Sequence, residues 1–223
     1  MATRAQTPVG RGFVSSLGYF HSENDYFTQQ RAEGCGGEPF VDLWDTEGPA
    51  TGLNASGPDG GYEERIFTDR ALRVIAAHPP ALPLFLYYAL HTSCVGPHGL
   101  QAPARFYEAL SFIDDPDRRK NHAMIAFMDE AVGNLTAALH ERGLWNNTLL
   151  VWSADNGGAV HLKGGANAFP LRGGYENNWE GGVRVAALVN GGFLPDHMRG
   201  RKITEPMHEC DWVRKRSFTA IYI

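Results

Sequence analysis

Apolar residues recur with a helical period in two stretches and gather into short unbroken runs in three others. Between Tyr62 and His78, the side chains of Phe67, Ala71, Val74, Ile75 and His78 share one face, while Glu63, Glu64, Asp69 and Arg73 fall elsewhere. This pattern predicts an amphipathic helix that Pro79-Pro80 ends. Ile125, Met128, Val132, Leu135 and Leu139 repeat at helical spacing and predict a longer helix over Asp117 to Arg142. Asp114, Asp115 and Asp117 load its start with acid, which suits the helix dipole, and Gly143 is a natural C-cap. Leu84 to Ala89 predicts a strand apolar on both faces, as parallel strands are. Thr148 to Ser153 and Arg184 to Val189 predict two more strands, the last ending at Gly191-Gly192. Residues 1–60 read as loop-rich, without repeats or low-complexity runs. Strand and helix alternate, so the chain is expected to be α/β, a mostly parallel sheet with flanking helices.

Where the predicted strand 148–153 stops, the chain reads Asp155-Asn156-Gly157-Gly158. A carboxylate and a side-chain amide in adjacent positions offer two hard oxygen ligands, which suits Ca²⁺ or Mg²⁺. Glycines there allow a sharp turn or a close approach to an ion or substrate. Open α/β sheets bind ligands just beyond the carboxyl ends of their strands, where this pair would lie. The four residues taken alone are equally an ordinary Asx-Gly turn.

The longer pattern decides between these readings. DNGG, GG, PLRGG and WEGGVRV follow one another from Asp155 to Val185. Upstream stand Arg11-Gly12-Phe13, Leu17-Gly18-Tyr19-Phe20 and Asp25-Tyr26, then Pro83 to Tyr88, Met128 to Gly133 and Leu144 to Thr148. In this order the segments resemble the type I sulfatases, nearest to the arylsulfatase B group. The resemblance runs from about residue 10 to Trp212 and implies the alkaline-phosphatase-like α/β fold. Residues 1–212 are expected to form part of a sulfatase domain whose N-terminal portion lies outside this chain, and residues 213–223 a divergent basic tail.

The resemblance also implies site residues. Asp155 and Asn156 match two of the family's calcium ligands. His98, just before Leu100-Gln101-Ala102-Pro103, best fits the active-site histidine; other gap placements put Cys94 or His91 there. Tyr175 stands where the family carries a sulfate-contacting lysine, and Lys163 is an alternative cation. Arg172 and Arg184 are expected to clamp backbone carbonyls. The family's nucleophile is a formylglycine made from cysteine in a Cys-x-Pro-Ser-Arg motif. None of Cys35, Cys94 and Cys210 lies in such a motif. The implied lineage activity is hydrolysis of small-molecule or glycan sulfate esters, with this chain inactive alone. A phosphoester hydrolase of the same superfold and a non-catalytic sulfated-glycan binder are the alternatives.

Composition adds exclusions. A formal net charge of -5 leaves no nucleic-acid footprint. No stretch is long and apolar enough to cross a membrane, and Met1 to Gly12 lacks an apolar signal core. Sequons at Asn54, Asn134 and Asn146 are candidate glycosylation sites. With the family resemblance, they place the full-length parent in the secretory pathway, lysosomal or extracellular.

Overall fold

The computed structural model describes residues 3–22, 24–31, 37–46, 48–50 and 59–207, and the backbone of 219–222. Strands β1 (Ser15–Tyr19), β2 (Gln30–Arg31), β3 (Phe40–Val41), β4 (Leu43–Asp45) and β5 (Gly48–Pro49) come first. Helix α1 (Glu63–Ala77), strand β6 (Leu84–Tyr87) and helices α2 (Ala104–Ala109) and α3 (Pro116–Glu141) follow. Strand β7 (Leu150–Ser153), the short helix α4 (Glu180–Val183), β8 (Ala187–Asn190) and β9 (Thr219–Tyr222) complete the order.

The main sheet runs β5-β4-β1-β9-β6. β9 lies parallel between β1 and β6, pairing Ser15 with Ile221 and Leu84 with Thr219. Four residues from the segment expected to be a divergent tail thus form the strand that joins the two halves of this sheet. β4 and β5 extend it antiparallel. β7 and β8 pair antiparallel as a separate two-stranded unit, Leu150 opposite Asn190 and Ser153 opposite Ala187. The mostly parallel sheet expected from alternating strands and helices therefore holds only around β9. The β1–β5 segment, expected to be loop, supplies antiparallel strands too short to carry a periodic signal.

α1 lies between β1 and α3. Leu17, Leu43, Ile66, Phe67 and Ala71 form one buried cluster, and Tyr26, Tyr62, Leu100, Met124, Phe127 and Ala131 a second. Tyr62 and Phe127 meet edge to face at 5.1 Å between centroids. Beside them, Asp59 and Glu130 hold Arg65 and Arg105 in a four-member ionic network. This network ties the approach to α1, α1 itself, α2 and α3 together.

α3 starts as its sequence dictates. The Asp115 carboxylate accepts from the Arg118 amide at 2.7 Å, and Pro116 follows the cap. Gly143 continues the end at φ 69°, beyond the Arg142 C-cap. The buried face is displaced from the expected one. Met124, Phe127 and Ala131 are buried, whereas Ile125 is 39% exposed and Met128, Val132, Leu135 and Leu139 lie half-buried beside them. Tyr62 and Phe106 draw the first stripe inward through ring contacts with Phe127. β6 also departs from expectation: its burial alternates, with Phe85 and Tyr87 exposed and Leu84 and Leu86 half-buried, and the Phe13 ring lies 6.0 Å from that of Phe85.

Candidate functional site

The glycine pairs between Gly157 and Gly182 meet backbone on backbone. Gly157 N–H donates to Gly182 O at 2.8 Å, Gly181 N–H to Arg172 O at 2.8 Å, and Tyr175 N–H to Gly158 O at 2.9 Å. A Cβ on Gly157 would sit 1.8 Å from Gly181 O, and one on Gly181 would sit 2.3 Å from Gly173 O. Side chains are excluded at these contacts, which is the physical reason the segment repeats Gly-Gly. The result is an interlocked set of turns at the end of β7.

That set presents Asp155 and Asn156, both exposed. Asp155 Oδ1 accepts the Asn156 amide at 2.8 Å, and Asn156 Nδ2 donates to Gly157 O at 3.1 Å. Beside them lies a cavity of about 500 Å³ lined by Asn156, Gly158, Phe169, Pro170 and Arg184. As a calcium site the pair is incomplete: about six to eight oxygens are needed, and among the described residues no third carboxylate or histidine groups with Asp155. The residues present do not by themselves fit a full ion site.

Neither arginine takes its expected carbonyl-clamping role among the described contacts. The Arg172 guanidinium lies 3.5 Å from the centroid of the Trp179 ring. Arg184 Nη1 donates to Glu180 Oε1 at 2.8 Å, one helical turn away, and lines the cavity. Tyr175 is 38% exposed, and its backbone rather than its phenol is fixed to the Asp155 loop. Lys163 is exposed, and the neighbouring His161 pairs with Glu176 at 3.2 Å.

The three candidates in the loop after β6 separate. His98 Nδ1 is 3.9 Å from Asp25 Oδ2, too far for a hydrogen bond. Burial opposes the Asp25 charge, but amides of Thr28 and Phe27 and the Gln101 side chain hold its carboxyl below the usual range. Cys94 is an exposed thiol. Among the described residues no hydrogen bond or ion pair links His98, Cys94 or His91 to Asp155 or Asn156. Of the sequons, Asn146 is exposed in the turn before β7, Asn134 is half-buried on α3, and Asn54 lies outside the described residues.

His91 belongs to a cluster the hydrophobic pattern concealed. Glu63 and Glu64, expected off the apolar face of α1, are both wholly buried. His91 Nδ1 lies 2.9 Å from Glu63 Oε1, and its backbone N–H donates to Glu64 Oε1. Tyr19 OH donates to Glu63 Oε2 at 2.7 Å, and Tyr88 OH to Glu64 Oε2 at 3.2 Å. The His91 ring stacks on Tyr19 at 5.7 Å and meets the Phe67 edge at 5.8 Å. Burial and the neighbouring Glu63 charge push Glu64 up to about 7 against the pull of His91. Burial disfavours the His91 charge, but the hydrogen bond to Glu63 and both carboxylate charges raise its pKa. The one sequence signal was a pair of adjacent acids opening a helix, which the apolar periodicity places away from the buried face.

Comparison with known proteins places the chain in a family. The profile of the family described as Sulfatase matches residues 2–214. Mouse (Mus musculus) arylsulfatase J is 35% identical over 208 residues, 92% of this chain and 32% of that protein. Human (Homo sapiens) arylsulfatase A is 34% identical over 117 residues, covering 52% of this chain and 21% of that protein. Rat (Rattus norvegicus) steryl-sulfatase is 40% identical over 93 residues, covering 38% of this chain and 15% of that protein. The crystal structure of Ps i-CgsB in complex with k-i-k-neocarrahexaose superposes with a TM-score of 0.65 at 28% identity, over 84% of this chain and 41% of that one. The chain spans about a third of mouse arylsulfatase J, the relative it matches over most of its length.

Proposed function

The chain belongs to the sulfatase family, and on that premise we propose that it carries the ligand-bearing and substrate-facing side of a sulfate-ester hydrolase site. Hydrolysis of sulfate esters is the activity of its lineage. One observation carries the reading: the packed glycine turns present Asp155 and Asn156 beside the cavity that Arg184 lines. Sulfuryl transfer places negative charge on the sulfate oxygens and on the leaving oxygen, and fixed cations and donors must meet it. In this proposal Asp155 and Asn156 are two of several Ca²⁺ ligands. His98 faces the substrate as cation or acid, and the Tyr175 phenol offers a hydrogen bond where a lysine would offer charge. The substrate is a small-molecule or glycan sulfate ester. The oligosaccharide held by the structural neighbour supports the glycan form.

No Cys-x-Pro-x-Arg or similar nucleophile motif occurs among the 223 residues. Residues 1–223 alone are therefore proposed to bind sulfate esters without turning them over. Secretory-pathway residence and glycosylation belong to the same proposal, with exposed Asn146 the sequon most accessible to the transferase. No described helix is long and apolar enough to cross a membrane.

Release of a chromogenic phenol from an aryl sulfate tests the proposal. We expect none from residues 1–223. A chimera carrying a relative's N-terminal segment is expected to turn over, and Tyr175→Lys in that chimera should raise its rate about ten- to a thousandfold. Activity in the bare chain would overturn the reading of the nucleophile. Equal rates in the two chimeras would remove Tyr175 from the sulfate and return the role to Lys163.

A further inference from the structure

We propose that Glu63, Glu64 and His91 form a second metal site, built for a zinc-like divalent ion and separate from Asp155 and Asn156. Each residue offers one donor atom, and the three donors lie within 4.8 Å of one another. Zinc bonds to imidazole and carboxylate are about 2.0–2.2 Å, so tetrahedral donors stand roughly 3.4 Å apart. His91 Nδ1 and Glu63 Oε1, now 2.9 Å apart as a hydrogen-bonded pair, would part by about half an ångström to reach that spacing, and Glu64 would swing in from its hydrogen bond to the His91 amide. The ion would replace the proton now held between His91 Nδ1 and Glu63; that proton leaves to solvent as the N–H bond breaks and the nitrogen lone pair turns to the metal.

Three features go beyond a chance grouping. The carboxylates are wholly buried, where acidic side chains are rarely found without a counter-charge. Among the described residues, no lysine or arginine pairs with either of them; Arg65 and Arg70, on the same helix, pair instead with Asp59, Glu130 and Asp45. With His91 charged and both carboxylates ionised, the cluster would carry one net negative charge for a divalent ion to compensate. Second, each carboxylate's outer oxygen is held by a phenol, Tyr19 on Glu63 and Tyr88 on Glu64. Such outer hydrogen bonds orient metal-ligating carboxylates. Third, the His91 side chain is 38% exposed while Glu63 is sealed, so the ring forms an entry from solvent to the buried oxygens. One imidazole and two carboxylates suit zinc, cobalt or manganese better than an all-oxygen calcium cage.

The test uses the full chain, stripped with chelator. Titration with Co²⁺ is expected to give the visible bands of a four- or five-coordinate ion with nitrogen and oxygen ligands, at one equivalent. Zn²⁺ should displace it, and Zn²⁺ should also raise the melting temperature. His91→Gln and Glu64→Gln should each weaken Zn²⁺ binding by more than about tenfold. Tyr19→Phe, which keeps the packing ring, should weaken it about ten- to a hundredfold through the outer shell alone. Melting curves of each variant report whether it folds, and the cobalt spectrum of the unmutated chain needs no variant. A thiolate charge-transfer band, lost in Cys94→Ser, would place the ion at the exposed Cys94 and overturn the proposal. So would the absence of any cobalt spectrum at millimolar ion, or Zn²⁺ affinity unchanged in both His91→Gln and Tyr19→Phe.

Discussion

At Gly157 a single methyl group decides whether the candidate site forms. Its Cβ would overlap the Gly181 carbonyl, which is backbone and cannot rotate away. Gly157→Ala should therefore destabilise the chain by about 1–3 kcal/mol, the usual cost of overpacking. Urea denaturation measures this, and an unchanged midpoint would mean that the loops are not in contact. The Asp115 cap is a milder case. It satisfies one amide at the start of α3, so Asp115→Ala should cost about 1 kcal/mol and Asp115→Asn much less. The same denaturation series compares the two, and equal costs would argue against a capping role.

Between elements, charge does the joining. Glu130 receives Arg105 and Arg65, and Arg105 first of all holds its carboxyl down to about 2. Asp59 is lowered too, its two arginines outweighing its burial. Groups whose pKa falls on folding contribute stability that is present above their unfolded value and lost as pH falls through the folded one. Stability should thus decline from about pH 4.5 toward pH 2. Glu130→Gln should be less stable at pH 7 and show a flatter acid limb. Thermal melts between pH 7 and pH 2 provide the check, and parallel curves for the two proteins would exclude the network as the cause. Glu130 is a third exposed and its arginines are partly exposed, so the effect should shrink in high salt.

Across the whole molecule, β9 completes what the strands before it leave open. Without it β1 and β6 have no common partner in the main sheet. Deleting residues 213–223 should therefore lower the melting temperature by about 2–8 °C, the shift expected from about 1–2 kcal/mol in a chain of this size. An unaltered melt would show that β9 does not hold the sheet together. Even with β9 in place, β6 is an edge strand whose Phe85 and Tyr87 are exposed, and Leu188 and Val189 of β8 are exposed as well. Apolar patches on an open edge favour association. Light scattering should show concentration-dependent self-association of the isolated chain; a monomer at every concentration would contradict it.

Local chemistry was readable wherever the chain itself encodes the answer. Pro79-Pro80 stops α1, Asp115 and Gly143 bound α3, and the apolar runs locate β6 and β7. The ordered motifs from Arg11 to Val185 identified the family, because Gly-Gly pairs leave a trace when backbones must touch. Partnership was not readable. Glu63 and Glu64 fall off the apolar face in sequence, and only His91, Tyr19 and Tyr88, brought from elsewhere in the chain, make their burial tolerable. The buried stripe of α3 was chosen by Tyr62 and Phe106, not by its own periodicity, which offers two adjacent apolar stripes. Strand direction was likewise hidden: β7 and β8 carry equally apolar runs whether they meet parallel or antiparallel, and only the path of residues 154–186 turns one against the other. Short-range sterics and capping are written into neighbouring residues; the pairing of distant charges, rings and strand edges exists only once the chain has closed on itself.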